Sequence, residues 1–76
     1  MLTRPACAMC ATMKRMLGDR VETADAFQRP ELLALTQYIS LPIFLVFDGE
    51  TFVDSFAGMM PVSVFERRVA AYDEGR

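Results

Sequence analysis

Met1-Leu2-Thr3-Arg4-Pro5-Ala6-Cys7-Ala8-Met9-Cys10 holds both cysteines of the 76-residue chain, three positions apart, where a helical pattern begins. From Ala8 to Leu17 the apolar residues Met9, Cys10, Met13, Met16 and Leu17 recur at steps of three and four, with Lys14 and Arg15 between them and Gly18 beyond. That is the pattern of an amphipathic helix with a glycine stop. Met13, Met16 and Leu17 read as core packing rather than as a methionine-rich metal box. Cysteines at i and i+3 on the first turn of a helix bring their sulfurs within disulfide reach. The unpaired N–H groups and the positive dipole end there favour a thiolate. The stretch reads as a dithiol redox site with Cys7 as nucleophile and Cys10 as resolving thiol. Free cysteine also packs well in cores, so the pair alone admits a plainer reading, two small apolar residues on a helix, and the rest of the chain decides.

Residues 1–4 supply at most a stub of strand, because Pro5 cannot donate a ladder hydrogen bond. Residues 20–24 alternate weakly around Val21 and read as a short strand near a sheet edge. After a connector over 25–29, Pro30 suits the first turn of a helix, with Glu31 behind it and Leu32, Leu33, Leu35 and Tyr38 at helical spacing. This predicts a second helix of about two and a half turns. Ser40-Leu41-Pro42 ends it, since the residue before a proline is pushed out of the helical region. Residues 43–47 form a continuous β-branched and aromatic run, the pattern of a strand buried on both faces. Asp48-Gly49-Glu50 signals a turn into a second strand over 51–56, with Phe52 and Phe56 on the face opposite Val53 and Ser55. Val62, Val64, Phe65, Val69 and Tyr72 fit a closing helix whose polar face carries Glu66, Arg67 and Arg68.

Parallel pairing of the first two strands needs a crossover helix, and a hairpin needs none. The order strand stub, helix, strand, helix, strand hairpin, helix therefore predicts an α/β fold. It would hold a four-stranded mixed sheet flanked by helices, with a shortened first strand, in one domain over 1–76.

Composition narrows the function. The chain is 53% hydrophobic and 24% charged with a net charge of −2, which is globular rather than disordered. Its eight Lys and Arg residues are scattered, and Lys14 and Arg15 read as a solvated face, so no nucleic-acid footprint is present. The absence of histidine excludes Ser–His and Cys–His nucleophile pairs and histidine metal ligation, and two cysteines cannot build a four-thiolate site within one chain. No apolar run approaches the roughly 18 residues a membrane span needs. Residues 1–18 carry Arg4, Lys14 and Arg15 without an acidic residue, in the manner of an organelle transit peptide, but the same segment holds both cysteines.

The element order resembles that of the thioredoxin-like superfamily. Leu2 to Cys10 is similar to the YTKPxCxxC segment of glutaredoxins and of the redoxins that serve ribonucleotide reductase. Pro30-Glu31-Leu32, Ser40-Leu41-Pro42, Asp48-Gly49-Glu50 and Phe56-Ala57-Gly58 are similar to the corresponding run of thioredoxins. The resemblance implies a cytoplasmic protein disulfide reductase without a cofactor, acting on substrate protein disulfides. It implies a cis bond at Leu41-Pro42, whereas the residues alone also admit a trans proline ending a helix. It implies a substrate groove lined by Ala6, Ala8 and Met9, by Leu41 and Pro42, and by Gly58 and Met59. Met59 and Met60 equally admit a plain surface or core role. Arg4 stands where it can stabilise the thiolate or be merely solvated.

Four departures qualify the match. Ala8-Met9 replaces the Gly-Pro of thioredoxin and the Pro-Tyr of glutaredoxin between the cysteines, and Ala6 replaces thioredoxin's aromatic residue. Phe56-Ala57-Gly58-Met59 stands where glutaredoxins carry the Gly-Gly-Asp that helps hold glutathione, so a thioredoxin reductase-type donor is the expected electron source. In this superfamily the first strand is central, and here only residues 1–4 remain to form it. The expectation is a stub that still pairs, a missed upstream start, or a second chain covering the gap as a homodimer. Two other classes compete. One is a C-x-x-C metal module, either like a Cu(I) chaperone or a dimer bridged by a metal or an iron–sulfur cluster. The other is a redox-inert adaptor using the groove only for binding.

Overall fold

Helix α1 (Ala8–Leu17) begins where Cys7, extended at φ −92° and ψ 102°, turns its sulfur back to accept the Cys10 amide. The computed structural model in which this is seen describes residues 1–74. The helix stops at Gly18, whose φ of 57° suits glycine and whose N–H bonds the Lys14 carbonyl. Its buried stripe is Cys10, Met13 and Leu17. Met16, expected in the core, is instead 39% exposed, because at 3.6 residues per turn it stands about 90° round the helix from that stripe.

The sheet contains β1 (Leu2–Thr3), β2 (Ala24–Asp25), β3 (Ile43–Asp48) and β4 (Thr51–Ala57), in the order β2-β1-β3-β4. The stub pairs on both sides: Leu2 faces Ala24 and Thr3 faces Asp25 in parallel, and Leu2 faces Ile43 antiparallel. Two residues of β1 can hold only two of β2. The strand expected over 20–24 accordingly starts at Ala24, and Gly18–Arg20 form a 3₁₀ turn instead. Past Met1 the same shortness leaves a cleft of about 630 Å³ between the segment around Val21 and the middle of β3.

Helix α2 (Pro30–Leu33) is a single turn rather than two and a half. Thr36 ends the helical run: its hydroxyl accepts the Tyr38 amide and shares a 2.7 Å hydrogen bond with Ser55 of β4. A side chain that captures a backbone N–H in this way competes with the helix ladder. Strand β3, expected to be buried on both faces, is buried only at Ile43 and Phe44, and Phe47 is half-exposed. The reason is that β1 flanks it through Ile43 alone. In the β3–β4 ladder Phe47 faces Phe52 while Val46 faces Asp54, so Val53 is an extra, bulged residue. The bulge puts Phe52 against Phe47, at 5.7 Å between ring centroids, and sends Phe56 to the other face, so the two do not share a side as the alternation predicted.

Each face of the sheet buries its own cluster. On one, Leu2, Ile43 and Ala26 pack with Leu32, Leu33 and Leu41. On the other, Met13 and Leu17 of α1 meet Phe44, Phe56 and Phe65, with Val69 and Tyr72 of α3 (Val62–Glu74) beside them. Phe44 stacks on Phe56 at 5.0 Å and leans on Phe65 at 5.4 Å. Arg68 lies over the outer side of the Phe56 ring at 5.3 Å, and Tyr72 donates to the Asp54 carboxylate at 2.9 Å. The chain is thus a small α/β protein with a four-stranded mixed open sheet and three helices. No helix among the described residues is long and apolar enough to cross a membrane.

Phe44 joins α1, α3 and β4, so Phe44→Ala should cost about 3–5 kcal/mol. A domain of this size holds in total roughly 4–11 kcal/mol. The variant should lose most of its urea midpoint by far-UV circular dichroism, while Met16→Ala shifts it little. Asp54 is one contributor to acid stability: its carboxyl is held below the usual aspartate range first by the Ser55 amide and then by the Tyr72 hydroxyl. A folded-state value below the unfolded one adds stability above the unfolded value and loses it as pH falls through the folded one. Tyr72→Phe removes one of the two causes. The gap in midpoint between it and the parent should therefore narrow as pH falls from about 6 to about 3, and a gap constant with pH contradicts this.

Candidate functional site

Because β1 and β2 run parallel and β3 runs against them, four chain segments meet at one end of the sheet. Residues 4–7 leave β1 there and the turn at Ala26 leaves β2. The 34–42 segment enters β3, and Gly58 leaves β4. The cysteines sit at this end. Cys7 and Cys10 are joined in a disulfide with their Cα atoms 5.3 Å apart, which is ordinary for a bridged pair. The helix start makes them unequal: Cys10 lies on the buried stripe of α1 and is 3% exposed, whereas Cys7, in the cap position, is partly open to solvent.

The Cys10 amide donates to Cys7 Sγ at 3.2 Å. In a reduced pair this unpaired first-turn donor, with the helix dipole behind it, favours negative charge on the Cys7 sulfur. The geometry therefore offers an accessible sulfur that can carry charge and, one turn along, a covered sulfur able to reach it. Among the described residues, no three His, Cys, Asp or Glu side chains are grouped to hold a metal.

An open groove of about 490 Å³ borders the pair, lined by Thr3, Ala11 and Thr23 and flanked by Arg4 and Lys14. Of the residues expected to line a substrate groove, Ala6 and Ala8 stand here beside the cysteines. Leu41, Pro42, Gly58 and Met59 do not line this groove. They form the other side of the same end of the sheet. The Leu41-Pro42 bond is cis, and Pro42 is buried one residue before Ile43, the partner of Leu2. The Pro42 carbonyl accepts the Gly58 amide at 3.0 Å, an approach reached with Gly58 at φ 104°. Met9 and Met59 are each about half exposed.

Sequence reasoning read Lys14 only as part of a solvated face and passed over Thr23, Phe27 and Ile39. Lys14 is indeed solvated, but pairing of β1 with β2 brings Thr23 across from it and makes a wall of both. Phe27 and Ile39 are 71% and 92% exposed, in the loops after β2 and before Pro42. The signal for them was present, a large apolar residue inside a connector that buries nothing. Compared with protein-family models, curated proteins and solved structures, the chain matches none.

Ala6 is the one non-glycine residue at positive φ among those described, at 62°. It turns the chain from Pro5 into the cap position of Cys7. A Cβ in that region costs roughly 1–2 kcal/mol, against roughly 0.4–1 kcal/mol of extra unfolded-state entropy for glycine. Ala6→Gly should thus stabilise the oxidised protein by up to about 1 kcal/mol, and Ala6→Val should destabilise it. Urea midpoints of both variants check this, and a lower midpoint for the glycine variant contradicts it.

Proposed function

We propose that the chain is a small thiol–disulfide oxidoreductase of the thioredoxin or glutaredoxin-like redoxin type, reducing protein disulfides through Cys7 and Cys10. The observation that carries the reading is the cystine at the start of α1, with Cys7 partly open to solvent and Cys10 covered. Three features support it. The first strand is central in the order β2-β1-β3-β4, the bond before Pro42 is cis, and α1 and α3 share one face of the sheet while α2 takes the other. The central first strand and the cis bond are what the thioredoxin-like resemblance implies.

In the reaction, the Cys7 thiolate attacks one sulfur of the substrate disulfide, and the other substrate sulfur leaves as a thiolate. Cys10, as thiolate, then attacks Cys7 Sγ. The Cys7–Cys10 bond re-forms and the second substrate sulfur is released. Two electrons pass from the protein dithiol to the substrate, whose two thiolates take up protons from solvent. A thioredoxin reductase-type donor returns the electron pair to the protein. A cytoplasmic site of action goes with this reading, since a reductant works where thiols are kept reduced. The copper-chaperone alternative needs a third strand directly after the second, whereas here α2 follows β2.

Reduced protein should reduce insulin disulfides, with precipitation of the freed chain as readout. Cys7→Ser should fall to background, and Cys10→Ser should accumulate a mixed disulfide with substrate, visible as an added mass that dithiothreitol removes. Unchanged activity in Cys7→Ser defeats the assignment.

A further inference from the structure

The two walls of the dithiol end differ in charge. Arg4 and Lys14 flank the groove beside the cysteines, and no Asp or Glu lines it among the described residues, although the whole chain is net negative at −2. Neither cation is in an ion pair among the described residues, whereas Arg20 is paired with Glu66 and Arg29 with Glu31. On the other side, Met59 and Ile39 are exposed and uncharged. A substrate seated across Cys7 therefore meets two cations outside any ion pair among the described residues on one side and uncharged side chains on the other.

The helix sets a distance. Lys14 lies two turns beyond Cys7 on the axis of α1, about 10 Å at 1.5 Å per residue. An extended peptide covers that length in about three residues. The flexible lysine stem widens the span by about one residue either way.

We propose that this groove selects disulfides with a carboxylate two to four residues from the attacked cysteine, and that Lys14 is the residue that reads it, with Arg4 adding to the field. The proposal rests on the disulfide-reductase reading above and names its substrate class: acidic segments of partner proteins. Opposite charges at this range speed encounter and hold register, and salt weakens both. The chemistry is unchanged, two electrons passing from Cys7 and Cys10 to the substrate disulfide.

The test uses reduced, desalted full-length protein and three peptides, each with an internal disulfide and identical except at the position three residues from one cysteine, which carries Glu, Gln or Lys. Single-turnover oxidation of the protein is stopped by alkylation and read by mass. The expected order is Glu, then Gln, then Lys, with the Glu peptide roughly threefold to tenfold faster than the Lys peptide at about 50 mM salt. The ratio should narrow towards one at about 0.5 M. Lys14→Gln should collapse the ratio and Lys14→Glu should invert it. Arg15→Gln, which removes the same charge from a residue outside the groove, should preserve it. Equal rates for the three peptides, or the same collapse in Arg15→Gln, overturn the proposal while leaving the reductase reading standing. Failure to reduce even the Gln peptide defeats the reductase reading itself and the proposal with it.

Discussion

Leu2 is held in the sheet from both sides, beside Ala24 in parallel and Ile43 antiparallel, and is 1% exposed. It belongs to a central strand of only two residues, so the β3–β4 hairpin and β2 are joined through this one short bridge. On one face Leu2 packs with Ile43 and Ala26. Met1, next to it, reaches the opposite face, where Phe44, Met13 and Phe65 pack. The bridge also aims the chain: after Thr3 it must leave the sheet at the end where Ala26, Pro42 and Gly58 gather. Pro5 and Ala6 turn it there into α1, which places the cysteine pair over that end. Where β1 crosses the sheet Leu2 and Ile43 are buried, and past Met1 the core opens into the cleft.

The inequality of the two sulfurs follows from helix geometry rather than from any special pocket. A residue in the cap position projects from the end of the helix, and a residue three further on begins the stripe that packs on the sheet. Cys7 is therefore reachable and Cys10 sheltered, and the Cys10 amide is left to face the Cys7 sulfur. Around them, backbone features supply the shape: the cis bond at Pro42, the close approach of Gly58 to the Pro42 carbonyl and the positive φ of Ala6. Exposed Met9, Phe27, Ile39 and Met59 supply apolar surface at the same end of the sheet.

How much of this was legible depended on whether a feature is local. The bounds of α1 came directly from the spacing of Cys10, Met13 and Leu17 and the glycine after them. The hairpin turn at Gly49 and the closing helix were similarly plain, because their signals lie within a few residues. The length of β2 was not legible, since it is dictated by what β1 offers across the sheet. Neither was the early end of α2: Leu35 and Tyr38 keep helical spacing, but the Thr36 hydroxyl is engaged by Ser55 of a strand nineteen positions on. The bulge at Val53 reversed the face of Phe52 for the same reason, being a property of the paired ladder. In the site, the cysteines were evident from their spacing and Pro42 from its resemblance to redoxins. Lys14 and Thr23 became neighbours only through β1–β2 pairing.

The short bridge also bears on how the chain is made. Leu2 leaves the ribosome well before Ile43, its partner in β3, and the four-stranded sheet cannot close until that strand has emerged. Pairing over so long a stretch of chain is slow to form. The cysteines, three positions apart, need no such partner to meet. The docking of Met13 and Leu17 against Phe44 is what brings Cys10 under cover. The two cysteines are therefore within reach of each other before the fold exists that makes their sulfurs different.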